Sequence, residues 1–250
     1  MKIPKTFRPE KDSKKSFNDI IKKTKRYKAK RKKKALEQML LGIEKFIDYR
    51  AEDEEKYQFA YSLAKTMDYT PEDLQTFYSV VVNYDAEMGF YLSALTNKLF
   101  TLYNDELVVR PITKFDSLCS YMSAGKLVIE GDVKDYFGYE MAGGEVVIEG
   151  NALDYFCEDM KGGKVTINGS VRNSAADDMK NGEIIIHGDA CMELGGGMEG
   201  GSITVYGNIN DIGMLKEGAT LYIEGSYNKG DLCDVIEGTI YYKGKKVWPE

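Results

Sequence analysis

The sequence predicts a mixed fold in which an N-terminal α-helical domain is followed by a right-handed parallel β-helix of seven coils. The main observation is a phrase of about ten residues that recurs seven times between residues 122 and 244, at a spacing of 19 residues with one interval of 18. A short fixed period indicates units that bury their apolar faces only by stacking on one another. Two further observations are a helical spacing of apolar residues before the repeat and a lysine-rich N-terminal segment.

The first segment, residues 1–34, carries 16 Lys/Arg and only three acidic residues, whereas the remainder has 18 basic and 37 acidic residues. We expect a basic, partly disordered arm joined to an acidic body. Its densest basic residues are Lys22, Lys23, Lys25, Arg26, Lys28, Lys30, Arg31, Lys32, Lys33 and Lys34. The arm could bind the phosphates of a nucleic acid, contact an acidic protein surface including its own body, or remain solvated.

Residues 35–100 have the apolar spacing of amphipathic helices and predict an α-helical bundle. Leu36, Leu40 and Ile43 share one face at the 3.6-residue period. Thr70-Pro71 is a helix start signal, because a capping hydroxyl precedes a proline at the first helical position. The following residues 101–121 form a junction, in which the strand-like run 107–109 predicts a degenerate first coil.

Residues 122–250 are predicted to form the β-helix itself. When each copy is numbered from Met122 or its equivalent, positions 6 and 8 are apolar and position 10 is always glycine. Apolar residues two apart between polar neighbours indicate a strand with one buried face. The small polar residue after the glycine, such as Asp132 or Asn151, is a turn former that can stack in a ladder.

The repeated phrase, with its paired glycines and its [IV]-x-[IV]-x-G strand, resembles the GXGXG repeat. That repeat occurs in the C-terminal domain of the glutamate synthase large subunit and in one of the subunits of formylmethanofuran dehydrogenase. The resemblance covers about residues 120–245 and implies a β-helix that holds other domains or subunits in place while the chemistry occurs elsewhere. Cys157 and Ala176 stand where that family has glycine. The helical half resembles neither enzyme, so the resemblance implies a fold and a scaffold role.

Composition argues against several classes of site. The four cysteines form no CxxC pair and the chain has a single histidine, so the sequence lacks a zinc-binding set. No nucleophile–base pair is visible, and we expect no catalytic residue, cofactor or metal. No apolar run is long enough to cross a bilayer. We therefore expect a cytoplasmic protein with free thiols and no membrane contact.

Position 7 of the repeat is the first candidate binding surface, because it should face outward and yet holds β-branched and aromatic residues. The candidate residues of this stripe are Val128, Val147, Ile185, Tyr222 and Tyr241. An apolar stripe on an exterior sheet is either covered or available for binding. We expect the apolar faces of the N-terminal helices to cover it, the alternative being a second subunit.

An acidic edge is the second candidate surface. It comprises Asp135, Asp154, Glu158, Asp159, Asp177 and Asp178. Residues at equal positions in adjacent coils lie about 4.8 Å apart, so these carboxylates repel one another. Such repulsion can raise a pKa for acid–base chemistry or favour a bound cation, although a charged edge can equally be solvated surface.

Three functional hypotheses follow. The first is a non-catalytic scaffold whose β-helix and basic arm mediate contacts with a protein partner or between copies of the chain. The second, from the resemblance, is an accessory subunit of a glutamate synthase-like or formylmethanofuran dehydrogenase-like redox complex. The third is a nucleic-acid-associated protein that binds through residues 1–34, in which case binding should weaken steeply with salt.

Overall fold

A computed structural model describes residues 30–81, 88–103, 106–111, 113–228 and 237–249. Four helices precede nine strands in this part of the chain. The helices are α1 (Lys30–Asp48), α2 (Asp53–Lys65), α3 (Pro71–Tyr78) and α4 (Met88–Phe100). The strands are β1 (Glu106–Val109), β2 (Lys126–Ile129), β3 (Glu145–Ile148), β4 (Lys164–Ile167), β5 (Glu183–Ile186), β6 (Gly201–Val205), β7 (Ala219–Ile223), β8 (Thr239–Tyr242) and β9 (Lys245–Trp248).

The strands form one sheet in sequence order, and each strand from β1 to β7 runs parallel to the next. Partners are mostly 19 residues apart, as in the pairing of Leu127 with Val146 and of Val146 with Val165. This register confirms the predicted parallel solenoid of about seven coils with an N-terminal helical region. Within β2 to β5 burial alternates as expected, with positions 6 and 8 inside and positions 5 and 7 half-buried.

The solenoid interior consists of columns of equivalent side chains. The methionine column is fully buried at Met122, Met141, Met160, Met179 and Met198. Flexible thioethers suit a corner of irregular shape, and the wider parts of the interior are filled by rings. Phe137 and Phe156, one coil apart, stack with their centroids 5.8 Å apart. Stacking identical side chains along the axis lets each coil bury the apolar face of the previous one.

A polar ladder holds the outer corner together. The backbone amide of Ser170 donates to Asn151 Oδ1 at 2.8 Å, and the amide of Asp189 donates to Ser170 Oγ at 2.9 Å. The amide of Asn208 continues the series by donating to Asp189 Oδ1 at 2.7 Å. Each side chain therefore satisfies a backbone group of the next coil where strand pairing has ended.

Left-handed backbone recurs on the opposite side of each coil. Positive φ recurs at the equivalents of Cys157 and Ala176 in three other coils, which are Cys119 at 69°, Gly138 at 74° and Gly195 at 73°. Cys157 and Ala176 themselves have φ of 59° and 62°. The family that the repeat resembles has glycine at this position. The backbone gives the physical reason, since glycine adopts this conformation without strain and larger residues do not.

The helical domain packs on the first coil and closes that end of the solenoid. Gly89 in α4 lies directly over the backbone of Asp116, and Ser93 Oγ donates to the carbonyl of Ser117 at 3.3 Å. The side-chain Nδ2 of Asn97 donates to the carbonyl oxygen of Tyr121 at 3.2 Å. Docking α4 here shields the exposed apolar end of the first coil from water, as a terminal unit of a solenoid requires.

Thr70 begins α3 as its spacing predicts. Its hydroxyl accepts from the amide of Asp73, whose carboxylate in turn accepts from the amide of Thr70 at 3.0 Å. This reciprocal pair is a capping box and satisfies two backbone donors at the helix start.

The last strand differs from the repeat, because β9 pairs antiparallel with β8. Lys243 and Gly244, the two residues between these strands, have φ of 47° and 75°. Two consecutive positive φ values are typical of a type I′ hairpin turn. The glycine that ends the seventh copy of the phrase therefore reverses the chain instead of continuing the coil.

Candidate functional site

The position-7 stripe lies on the outward face of the sheet, but the helices do not cover it. The expectation of an intramolecular cover is wrong, because the helical domain packs against β1 and the first coil instead. Most of the stripe, including Val128, Val147 and Ile185, is half-buried by neighbouring side chains of its own face. Toward the C-terminal end the face opens, and Tyr222 is 38% exposed.

Four rings form two stacked pairs on this open part of the sheet, which we call the sheet-face patch. They are His187, Tyr206, Tyr222 and Tyr241. His187 stacks on Tyr206 with a centroid distance of 5.0 Å, and Tyr222 stacks on Tyr241 at 5.1 Å. Tyr206 lies two residues beyond Thr204, the strand partner of Tyr222, so the two stacks are diagonal neighbours. The patch is apolar in its rings and polar at its edges, as protein-binding surfaces often are.

Alternating charges flank the stripe along position 5. Lys126 lies 3.0 Å from Glu106 and 3.8 Å from Glu145, and Lys164 lies 2.9 Å from Glu183. These pairs neutralise one another along the sheet. This row of side chains therefore has little net charge from β1 to β5.

The acidic edge divides into structural and unpaired carboxylates. Asp135 Oδ1 accepts from the amide of Asp154 at 3.0 Å, and Asp154 Oδ1 accepts from the amide of Asn173 at 3.1 Å. Asp159 and Asp178 lie 3.9 Å and 4.0 Å from Lys180 and Lys216 respectively. Glu158 and Asp177 form no ion pair with any residue in the described part of the chain.

Glu158 is the most perturbed carboxyl group of the edge. Partial burial disfavours its charged form, and Asp159, Asp177 and Asp178 add repulsion, which together raise the pKa of Glu158 to about 7. Burial also raises the pKa of Asp177, with a further contribution from Asp178. Repulsion between neighbouring carboxylates thus raises the pKa of several groups along the edge, and the effect is largest at Glu158.

Replacing Glu158 with glutamine should stabilise the fold at neutral pH. The folded-state pKa of about 7 exceeds the value of 4.5 for an unperturbed glutamate, so wild-type loses stability as pH rises from about 4.5 to 7. Because the side chain is partly exposed, we expect a gain of only about 1 kcal/mol for Glu158→Gln at pH 7.5, shrinking to zero near pH 4. Urea unfolding of both proteins across this range measures the difference.

Glu224→Gln is the matched control, since Glu224 is an exposed glutamate on another face of the solenoid. A stability gain that is independent of pH, or equal in the two variants, would show that Glu158 is not the strained group.

A cavity of about 590 Å³ opens where the helical domain meets the acidic edge. The helical domain contributes Asp53 from the start of α2 and Phe90 from α4. The first three coils contribute Asp116, Ser117, Lys134, Asp135, Tyr136, Tyr139 and Glu158. The cavity therefore brings two residues of the predicted acidic edge, Asp135 and Glu158, together with aromatic rings and leaves the rest of that edge outside.

Asp53 and Phe90 could not have been assigned to this cavity from sequence, because only the docking of the helices brings them there. The sequence did contain a signal for Tyr136, because an equivalent tyrosine, Tyr155, follows one coil later. The two rings stack with centroids 4.8 Å apart and planes within 3°. Partial burial raises the pKa of Tyr136 and raises that of Tyr139 to about 12, so both phenols are neutral at physiological pH.

The basic arm is described only at its end. Residues 30–34 lie in the first turns of α1, and Lys33 Nζ is 3.7 Å from Glu37. Lys22, Lys23, Lys25, Arg26 and Lys28 lie outside the described residues. The hypothesis that residues 1–34 bind nucleic acid therefore stays a prediction.

No known family model matches this chain, and neither does any curated protein. Across the described ranges, no group of three or more His, Cys, Asp or Glu side chains is arranged to hold a metal ion. Among the helices described, none combines the length and apolar character needed to cross a bilayer. The features that bear on function are therefore the two surfaces and the cavity.

Proposed function

We propose that this protein is a non-catalytic scaffold that binds a protein partner through the outward face of its solenoid. The observation that carries the proposal is the sheet-face patch. Tyr206 is 51% exposed and Tyr222 is 38% exposed, and both rings are held in stacked pairs on a rigid sheet. Tyrosines fixed in this way lose little conformational freedom on binding and are enriched at the energetic centres of interfaces.

The rest of the molecule supports the same role. The solenoid uses its glycine, methionine and Asp/Asn positions for turns and stacking, and no nucleophile–base pair is visible in the sequence. The proposal includes two expectations from the sequence, which are the resemblance to GXGXG domains and a cytoplasmic location. In those families the β-helix holds other domains or subunits, and an uncovered outward face is what such a function requires.

The double variant Tyr206→Lys/Tyr222→Lys should abolish partner binding while leaving the fold intact. Both side chains point away from the core, so the substitutions add charge to the binding surface without opening a cavity. Loss of two such hot-spot residues costs about 2 kcal/mol or more each in binding free energy. Light scattering measures self-association, and affinity capture followed by mass spectrometry identifies other partners.

Tyr103→Lys is the control, because Tyr103 is a comparably exposed tyrosine (41%) that lies after α4 and away from the sheet face. We expect the control to retain everything that wild-type binds. If wild-type, control and double variant bind the same proteins equally well and have the same mass in solution, the sheet-face patch is not the binding surface.

A further inference from the structure

The cavity between the helical domain and the acidic edge is a second site with its own chemistry, separate from the sheet-face patch. Its aromatic lining comes from Phe90, Tyr136 and Tyr139. Tyr136 is 40% exposed, and its ring is fixed by the parallel stack on Tyr155. A cavity of this size with several rings, placed at the junction of two structural units, has the general form of a ligand site.

The charge of the cavity determines whether it favours a cationic or an anionic ligand. Of its four carboxylates, Asp116 is paired with Lys134 at 2.9 Å. Asp53, Asp135 and Glu158 form no ion pair with any described residue, although the charge of Lys56 acts on Asp53 and partly offsets the rise in its pKa. Partial burial raises the pKa of Asp53 as well as that of Glu158, so a bound cation would relieve electrostatic strain on both.

The rings decide the kind of cation. A metal ion needs several oxygen ligands converging at about 2.0–2.6 Å, and the described residues hold no such group. Aromatic faces instead attract ammonium and guanidinium groups, which also donate hydrogen bonds to nearby carboxylates. The combination of aromatic faces and unpaired carboxylates therefore fits an alkylammonium group at the end of an apolar stem, as in a lysine side chain.

A source of such groups is attached to the same chain. Residues 1–29 contain nine lysines and two arginines against three acidic residues, whereas the body is acidic. A random coil of this length has a root-mean-square span of about 30 Å, comparable with the length of the solenoid. Covalent tethering gives its lysines an effective concentration on the order of millimolar at the body, well above that of a separate partner.

We propose that this cavity is a docking site for the lysine side chains of the chain's own N-terminal arm, residues 1–29. The ammonium group lies against Tyr136 and Tyr139 and pairs with Asp135 and Glu158, while Asp53 closes the site from the helical side. The arm thereby neutralises the part of the acidic edge that has no cation of its own among the described residues.

Zero-length carbodiimide cross-linking of the full chain tests this directly. The reagent adds to a carboxyl group and activates it. The amine of a lysine in contact with that carboxyl then displaces the reagent as a urea, and an amide bond forms. We expect mass mapping to find residues 1–29 linked mainly to Asp53, Asp135 and Glu158. An equal mixture of unlabelled and ¹⁵N-labelled protein distinguishes links within one chain from links between two chains.

Variants make the test specific. Tyr136→Leu removes one aromatic face and should lower the yield of links at Glu158 by about threefold, the effect of one exposed cation–π contact. Replacing Lys22, Lys23, Lys25 and Lys28 by glutamine should reduce those links without altering the folded body. Links at Glu224, an exposed glutamate elsewhere, serve as the internal control.

Three results would overturn the proposal. Arm lysines linked to Glu224 as often as to Glu158 would show diffuse attraction with no site. Mixed-isotope links in the majority would assign the cavity to the arm of a second copy. Unchanged Glu158 yield in Tyr136→Leu would remove the aromatic contribution. These results concern the cavity, and the proposed scaffold function is tested separately by the Tyr206→Lys/Tyr222→Lys variant.

Discussion

Gly207→Ala is expected to destabilise the protein by about 3 kcal/mol. Gly207 occupies position 10 of the repeat, where successive coils touch backbone to backbone. A Cβ at this position would lie 2.3 Å from the carbonyl oxygen and 2.5 Å from the carbonyl carbon of Gly188 in the previous coil. Neither atom can move without breaking the bond between the Gly207 amide and that oxygen, which is 3.2 Å long. The coil spacing itself would have to widen.

Gly131→Ala separates this steric effect from backbone strain. Gly131 is also a position-10 glycine, with a φ of 145°, but a Cβ built there meets nothing within 4 Å. Its substitution costs only the conformational strain of a non-glycine residue, about 1 kcal/mol. Urea denaturation followed by circular dichroism compares the two variants with wild-type. Equal losses in both would show that backbone conformation, and not coil contact, requires glycine at position 10 of every copy.

The strands and the buried columns could be predicted because each depends on local spacing that the repeat states seven times. Val146 and Ile148 lie on one side of β3 whatever the coil packs against, since successive side chains alternate. Once the period is known, stacking follows, and with it the register of the whole sheet. The sequence therefore contains the solenoid almost completely.

The same reasoning fails for structural features that do not recur from coil to coil. The position of α4 over the first coil depends on the shape of two surfaces, and no periodicity reports it. Consequently the expectation that helices cover the sheet face was wrong, and the cavity at Asp53 and Phe90 was invisible. The antiparallel β9 was missed for a related reason, since the Lys243-Gly244 turn looks like another copy of the phrase until its two positive φ values are known.

In the acidic edge, the positions of the carboxylates could be predicted from the repeat, but their individual surroundings could not. Equal spacing groups Asp135 with Asp154, and Glu158 with Asp177, in adjacent coils. Spacing could not show that Asp135 and Asp154 accept backbone hydrogen bonds, or that burial and acidic neighbours raise the pKa of Glu158 and of Asp177. Those differences arise from the surroundings of each carboxylate, which vary from coil to coil although the sequence position does not.

Gly89→Ala should detach the helical domain from the solenoid and lower the free energy of unfolding by about 3 kcal/mol. Gly89 is near the start of α4, and a Cβ there would lie 1.8 Å from the carbonyl oxygen of Asp116 and 2.7 Å from the amide nitrogen of Leu118. Both are backbone atoms of the first coil, so α4 must move away as a whole. The gain of up to about 1 kcal/mol from replacing a helical glycine by alanine cannot offset that movement.

Hydrogen exchange is the measurement that separates cap detachment from global unfolding. The movement should break the bond from Ser93 Oγ to the Ser117 carbonyl and expose the first coil, while β4 and β5 at the centre of the solenoid stay protected. The cavity at Phe90 would open as well, so Gly89→Ala should also lower cross-linking of residues 1–29 to Asp53.

Gly42→Ala is the matched control, because it makes the same exchange in α1 where the nearest atoms belong to side chains. A Cβ at Gly42 would lie 2.1 Å from the Tyr91 hydroxyl oxygen and 2.6 Å from the terminal methyl of Met67. The Met67 methyl can shift, but the buried Tyr91 hydroxyl donates to the carbonyl of Met39 and its ring must move slightly. Helix propensity compensates part of this cost, so we expect a loss of about 2 kcal/mol, smaller than that of Gly89→Ala. Two outcomes would contradict the idea that backbone contact at Gly89 joins the helical domain to the first coil. One is that Gly42→Ala lowers the free energy of unfolding as much as Gly89→Ala does. The other is that Gly89→Ala leaves the hydrogen exchange of residues 115–121 unchanged.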